Sequence, residues 1–242
     1  PLPGPGEAGR LRRRRVLAVA LPMGLNALLG NLLGAANAAL IPQELVAGGA
    51  DRSDAIAQFG VVCGMTMPML SLPIVFLRAI NLVLMPRLAR ATALGRTGEI
   101  RRLISQAVRL VSVLTLPAMA LMVVLGPDLG RAMFHQEGVG DYLLPLAAAT
   151  AMGCYGSVLA ACLNGVGSQR AVAAISLLGG GVQLLFTLAL VPPPGVGMGG
   201  YVAGAVVSTA LELALCLCRA CRRTGLRPQL FQWAVAPGLA AL

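Results

Sequence analysis

Long stretches without a single charged side chain constrain this chain more than any other feature. Residues 16–43, 55–77, 110–127, 142–169 and 171–211 hold no Asp, Glu or Arg. A helix that crosses the hydrocarbon of a bilayer needs about 20 apolar residues. Backbone N–H and C=O groups find no water there, so each run has to satisfy its own hydrogen bonds as a helix. The run 171–211 is too long for one crossing, and Pro192-Pro193-Pro194-Gly195 interrupts it. Consecutive prolines remove backbone donors and push their neighbours out of the helical region. The expected fold is therefore all-α and integral to a membrane. Its six transmembrane helices lie near 16–42, 55–85, 106–127, 142–164, 171–191 and 199–218.

Composition agrees with that reading. Of the 242 residues, 57% are hydrophobic, 4% aromatic and only 12% charged, about half the charged share of a soluble domain. Mean hydropathy is +0.80. A soluble enzyme, a disulfide scaffold and a disordered chain are all excluded on these grounds. The 19 basic residues are all Arg and outnumber nine acids, for a net charge of +10. They cluster between the apolar runs, which reads as membrane orientation and not as nucleic-acid binding. The successive loops carry +4, −2, +5, −2, +1, 0 and +4. This alternation places the N-terminus and the last Arg cluster on the cytoplasmic side of a multi-pass protein of the cell membrane. Residues 87–105 mix Leu88, Leu94, Ile100, Leu103 and Ile104 with Arg. That pattern suits an amphipathic elbow lying on the inner leaflet or a solvated basic loop.

The ends of the chain add expectations. Residues 1–15 read as a cytoplasmic linker, 219–230 as a basic cytoplasmic loop, and 231–242 as the opening of a further, truncated helix. With Pro1 in place of an initiator Met, the chain is expected to be a piece of a longer membrane protein.

Few residues offer chemistry. His135 falls in an outer loop without an acid or Cys cluster in register. Cys63, Cys154 and Cys162 lie inside spans as small packing residues. Cys216, Cys218 and Cys221 are close in sequence but lack a fourth ligand for zinc. No metal site, cofactor or catalytic set is expected, so the chain is not read as an enzyme. Two charges lie within the spans, Arg78 and Glu212. A charge at that depth costs at least about 2.5–3.5 kcal/mol at the bilayer centre and usually faces a water-filled cavity. Arg78 is the candidate for gripping an anionic substrate through its planar fork, or else it snorkels to the headgroups. Glu212 is either its partner or an interfacial acid. Asn26, Asn31 and Asn37 on the first helix complete the candidate substrate-binding set, with Asn81 and Asn164 near inner helix ends. Pro22, Pro68 and Pro73, together with Pro117 and Pro145, are candidate kinks. The pairs Gly30/Gly34, Gly60/Gly64 and Gly200/Gly204 have the spacing that lets helix backbones approach.

A series of motifs also carries a resemblance. It runs Leu40-Ile41-Pro42-x-x-Leu45 with Gly48-Gly49, then Ala57-x-Phe59-Gly60-x-x-x-Gly64-Met65-x-x-Pro68-x-x-x-x-Pro73. Leu84-Met85-Pro86-Arg87-Leu88-Ala89-x-Ala91-x-Ala93-x-Gly95, Leu163-Asn164-Gly165-x-Gly167 and Gly195-x-Gly197-x-Gly199-Gly200 follow. This order resembles the second six-helix lobe of the multidrug/oligosaccharidyl-lipid/polysaccharide (MOP) flippase superfamily, in its stage V sporulation protein B and polysaccharide-transporter branch. The resemblance implies one lobe of a two-lobed, MATE-like transporter whose lobes form a V around a central cavity. It implies a lipid-linked saccharide as substrate, in particular an undecaprenyl-pyrophosphate-linked peptidoglycan precursor or polysaccharide repeat unit. Membrane lipids and the N-terminal lobe of the same transporter are the implied partners, and nucleic acid is not. Peptidoglycan-precursor flippases of a related branch have a cavity arginine where this chain has Pro68, so that role does not carry over. The alternatives are a cation-coupled multidrug exporter of the same superfamily, with Glu212 as its sole intramembrane acid, and a non-transporting membrane scaffold.

Overall fold

The computed structural model describes residues 5–134, 140, 142–193 and 196–225, apart from the side chains of 5–23, 25–26, 72–73, 76 and 133–134. His135 and the expected further helix at 231–242 lie outside the described residues. Every described element is helical. In chain order they are α1 (Pro5–Ala47), α2 (Arg52–Phe59), a π-helical segment (Gly60–Thr66), α3 (Met67–Ala93), α4 (Thr97–Phe134), α5 (Leu143–Gly165), α6 (Gln169–Leu190) and α7 (Met198–Thr224). The second element runs unbroken from α2 through the π segment into α3, so six long rods result. Among the described residues four stretches are long and apolar enough to cross a membrane: Thr97–Ala132, Leu143–Gly165, Gln169–Leu190 and Met198–Thr224. The protein is a multi-pass membrane protein.

Three of the turns are built alike. After α1, the Ala50 N–H reaches the Leu45 carbonyl (3.1 Å) and Gly49 N–H that of Val46 (3.0 Å). After α3, Arg96 bonds Ala91 (3.0 Å) and Gly95 bonds Thr92 (3.1 Å); after α5, Ser168 bonds Leu163 (2.9 Å) and Gly167 bonds Asn164 (3.1 Å). These are Schellman caps, which need a residue at positive φ. Gly49, Gly95 and Gly167 supply it at +95°, +66° and +79°. Three of the glycines in the sequence motifs are thus helix stops. α6 ends at Leu190, just before the proline run, and α7 starts at Met198.

The α3–α4 region departs from the expected elbow. The helices extend to Ala93 and from Thr97, leaving only a short turn between them. Leu88, Ala91, Ile100 and Ile104 are buried between the two arms, so most of the apolar residues among the arginines hold a hairpin together, while Leu94 stays exposed at the turn. One of the expected kink positions also differs. Pro145 falls in the first turn of α5, where its missing N–H would have had no helical partner. α4 continues through Pro127 to Phe134.

Packing runs in the order α1, α6, α7, α5, with α3 and α4 against α5 and each other. Buried side chains form two layers along the rods. One joins Leu77, Leu84, Leu88, Ile104, Val111, Val158, Cys162 and Leu163 with Cys216 and Ala220. The other joins Ile41, Leu45, Val62, Leu70, Leu143, Leu146, Val191, Met198 and Val202. Arg101 ties the first layer's end together: its Nε donates to the Thr224 carbonyl at the C-terminus of α7 (2.7 Å).

Of the three glycine pairs, only Gly200/Gly204 brings helices together within the lobe. A Cβ on Gly204 would lie 2.7 Å from Phe186 Cβ, and one on Gly200 would strike the Leu190 backbone. Nothing lies within 4 Å of the corresponding positions at Gly30, Gly34, Gly60 and Gly64. Gly204→Ala should therefore lower stability by about 1–3 kcal/mol through overpacking. Gly30→Ala should leave it unchanged or slightly raised, since alanine favours helix. Thermal melting of the purified variants in detergent checks this. Equal melting of the two would refute close packing of α7 on α6.

Candidate functional site

Polar side chains collect between the two apolar layers. On α4 they are Ser112 and Thr115, both fully buried, and the Tyr155 hydroxyl of α5 donates to Ser112 Oγ (2.9 Å). On α6 and α7 they form a connected seam that reaches α1. Thr187 Oγ1 approaches Asn37 Oδ1 (2.8 Å) and the Gln183 carbonyl (3.0 Å), and its one proton serves both. Gln183 Nε2 donates to the Tyr201 carbonyl (3.2 Å), and Ser208 Oγ donates to Gln183 Oε1 (3.0 Å). Buried polar groups in hydrocarbon need such partners.

Glu212 lies one helical turn beyond Ser208. It is half-buried, and its carboxylate packs directly against Gly179, one turn before Gln183 on α6. A Cβ on Gly179 would collide with it. The acid therefore extends the seam, and the glycine makes room for it.

Arg78 belongs elsewhere. It is exposed on α3, beside Val75 (64% exposed) and on the same stripe as Leu82 (78% exposed). Among the described residues no other helix covers that face. Arg78 and Glu212 form no ion pair, because α5 packs between α3 and α7. A structural Arg78–Glu212 pair, one of the two roles considered for the acid, is thereby set aside.

The remaining sequence candidates scatter. Asn37 is buried, with its oxygen engaged by Thr187, whereas Asn31 is exposed on α1. Asn26 and Pro22 lie in α1 and Pro73 in α3, with side chains outside the described set. Pro68 is exposed immediately after the π segment. There the turn widens: the Met67 N–H reaches back to the Val62 carbonyl, and Thr66 Oγ1 donates to the Val61 carbonyl (2.9 Å). Such π turns recur at functional sites. Cys216 is buried, Cys218 exposed and Cys221 intermediate, so the three thiols point apart around α7. Among the described residues no group of three His, Cys, Asp or Glu is placed to hold a metal ion.

Gln183, Thr187 and Ser208 were not candidates from sequence. Isolated uncharged polar residues inside apolar runs give little local signal. The available clue was spacing, with Gln183/Thr187 and Ser208/Glu212 each four residues apart and so on one helix face.

Comparison with known proteins bears on the same region. The family model described as "Lipid II flippase MurJ" matches residues 65–164. Stage V sporulation protein B of Bacillus subtilis (strain 168) is 25% identical over 211 residues, covering 85% of this chain and 40% of that protein. Sporulation protein YkvU of the same organism is 25% identical over 159 residues, covering 66% of this chain and 36% of its own length. The chain thus spans about two fifths of the length of these relatives. No solved structure matches. The matches bear out the resemblance to the MOP flippase superfamily and its sporulation branch.

The seam makes a stability prediction. Gln183→Leu removes two bridges between α6 and α7, to Ser208 and to the Tyr201 carbonyl, whereas Thr187→Val removes the single bridge to Asn37. Expected losses are about 1–2 kcal/mol for the first and about 0.6 kcal/mol for the second, the scale of interhelical hydrogen bonds in membranes. Melting curves in detergent should show that order, and the reverse order would break the proposed connectivity.

Proposed function

We propose that this MOP-superfamily chain forms one six-helix lobe of a flippase that moves an undecaprenyl-pyrophosphate-linked saccharide from the inner to the outer leaflet by alternating access. The substrate class is a peptidoglycan precursor or a polysaccharide repeat unit. The observation that carries the reading is the family match over 65–164, the stretch that holds Pro68, Arg78 and the α3–α4 hairpin. Such a protein is a transporter and not an enzyme: its side chains hold and release a substrate without changing its bonds.

The physics supports the assignment. An anionic head on a greasy tail calls for a cationic group within a bilayer-spanning wall. Arg78 offers one on a face that the lobe's own helices leave uncovered. Its fork matches phosphate oxygens in two-point geometry. The N-terminal lobe of the same transporter is the partner proposed for that face, and together they enclose the cavity. The π turn ahead of Pro68 offers a point at which the second rod can bend while the lobes rock. All six rods cross the cell membrane, α1 and the second rod included, and the loop charges set the N-terminus and the α3–α4 turn in the cytoplasm. The exporter reading draws on Glu212, which lies half-buried beside the α6–α7 seam. It has a single acid to work with, and the cationic face at Arg78 favours an anionic substrate.

Two outcomes are expected. Cysteines placed at position 96 should react with an impermeant thiol reagent only after the membrane is opened, and cysteines at position 51 without opening. The reverse pattern would invert the topology. In vesicles holding both lobes, Arg78→Ala should abolish flipping of the lipid-linked saccharide at unchanged folded amount, and Arg78→Lys should restore it only in part. Wild-type flipping by Arg78→Ala would remove Arg78 from the site, and full rescue by Lys would reduce it to a snorkelling anchor.

A further inference from the structure

The outer side of the α3–α4 hairpin carries two adjoining cavities of opposite character. One, of about 410 Å³, is an apolar groove between the helices, walled by Ile80, Val83, Leu84, Leu103, Ala107 and Leu110. The other, of about 380 Å³, lies at the turn and is ringed by Arg87, Arg90, Arg96 and Glu99. Arg87 and Leu103 line both, so the apolar groove opens directly onto the arginine cluster. We propose that the two together bind one anionic phospholipid of the inner leaflet, its phosphate between Arg87 and Arg90 and one acyl chain in the groove. The proposal rests on the membrane reading and on the orientation proposed above, and stands whether or not the chain takes part in flipping.

Three observations select that occupant. The first is length. From Ala79 to Arg87 the helix rises about 12 Å, which fits within the roughly 15 Å of one leaflet's hydrocarbon. A chain lying in the groove would end with its phosphate at the arginines. The second is charge. Arg96 is partly committed to Glu99 at 3.4 Å, whereas Arg87 and Arg90 form no ion pair among the described residues. The rim keeps a net +2 from its three arginines and one acid, which attracts an anionic head and repels the ammonium of a zwitterionic one. The third is exposure. Val83 and Leu110 are 55% and 46% exposed along the groove, so a hydrocarbon chain can enter sideways from the bilayer. A soluble anion would leave the groove empty.

The test is native mass spectrometry of the purified chain in detergent, titrated with long-chain phosphatidylglycerol, long-chain phosphatidylcholine, dihexanoyl phosphatidylglycerol, undecaprenyl phosphate and inorganic phosphate. The expected result is one retained long-chain phosphatidylglycerol, held about tenfold or more tightly than the phosphatidylcholine, because the ammonium of the zwitterionic head is repelled by the same positive rim that holds its phosphate. The paired substitution Arg87→Gln with Arg90→Gln should remove that preference. Both side chains are exposed, so melting should not change. Leu103→Trp, which fills the junction, should displace the lipid with both arginines intact. The pair Arg222→Gln with Arg223→Gln, an equal charge change at the end of α7, should leave binding as it was. Equal retention of the two long-chain lipids would overturn the proposal, as would equal loss in both arginine pairs. Competition by inorganic phosphate or by the dihexanoyl lipid at the same concentration would reduce the site to an anion patch. Preference for undecaprenyl phosphate over the phospholipid would assign it to a different lipid.

Discussion

Apolar helices in lipid gain little by exchanging one apolar neighbour for another. The lobe therefore depends on close backbone approach and on a few polar bridges. Both are concentrated on α7. Gly200 and Gly204 let it lie against α6, and Gly179 of α6 makes room for Glu212. Gln183 and Ser208 then cross-link the pair. The same α6 holds α1 through Gly180, whose Cβ position is 2.9 Å from Leu33, and through the Thr187–Asn37 contact. On the other side, Gly165 of α5 admits Leu88 of α3, its Cβ position lying 2.9 Å from Leu88 Cβ. Each of these three junctions thus has a glycine where a larger side chain would hold the partners apart.

Pro68 sets the shape of the second rod. A proline has no N–H to give, and its ring crowds the carbonyl four residues back, here Gly64. The chain answers by widening the preceding turn to the five-residue spacing of Gly60–Thr66. Thr66, fully buried, spends its hydroxyl on the Val61 carbonyl. The rod stays continuous from Arg52 to Ala93. Gly60 and Gly64 meet no neighbouring atoms, so their smallness serves no packing inside the lobe. They coincide with the widened turn.

Much of the fold was legible because it is written in charge and in chain breakers. Uncharged runs marked the rods, the triple proline marked the gap between α6 and α7, and Gly49, Gly95 and Gly167 marked caps that need a positive φ. The interior was less legible. Three glycine pairs have identical spacing, yet one packs inside the lobe and two do not, because spacing along one helix does not say whether a partner lies opposite. Residues 87–105 looked surface-active because Leu, Ile and Arg alternate there. The structure turns most of the same side chains inward across a hairpin, and periodicity cannot tell lipid from a second helix as the apolar partner. The candidate site divided in the same way. Arg78 and Glu212 stood out as charges, but their separation by α5 is a fact of tertiary packing. Gln183, Thr187 and Ser208 carry no charge and so drew no notice.

One residue type ends up with three roles, and contacts decide which. Arg101 gives its Nε to the Thr224 carbonyl, filling an acceptor that the end of α7 would otherwise leave to solvent. Gly225 follows at φ +62°, and a Cβ there would lie 2.7 Å from the Arg101 guanidinium. The cap and its guest residue are therefore built for each other. Arg96 pairs with Glu99 across the turn between α3 and α4. That pair is exposed and of the kind that contributes about 0–1 kcal/mol, so it biases the turn without securing it. Among the described residues Arg78, Arg87 and Arg90 form no ion pair, and their side chains are exposed. In a chain with nine acids to 19 arginines, unpaired arginine is unavoidable at loops, where water and headgroups solvate it. Along α3 the argument is different. Leu82 and Val75 beside Arg78 are exposed apolar side chains, so this guanidinium stands on a hydrocarbon-like face with no solvating neighbour from its own lobe. A cation held there needs an anion, a water-filled space or the headgroup layer to be tolerated, and whatever supplies that need comes from outside the helices described.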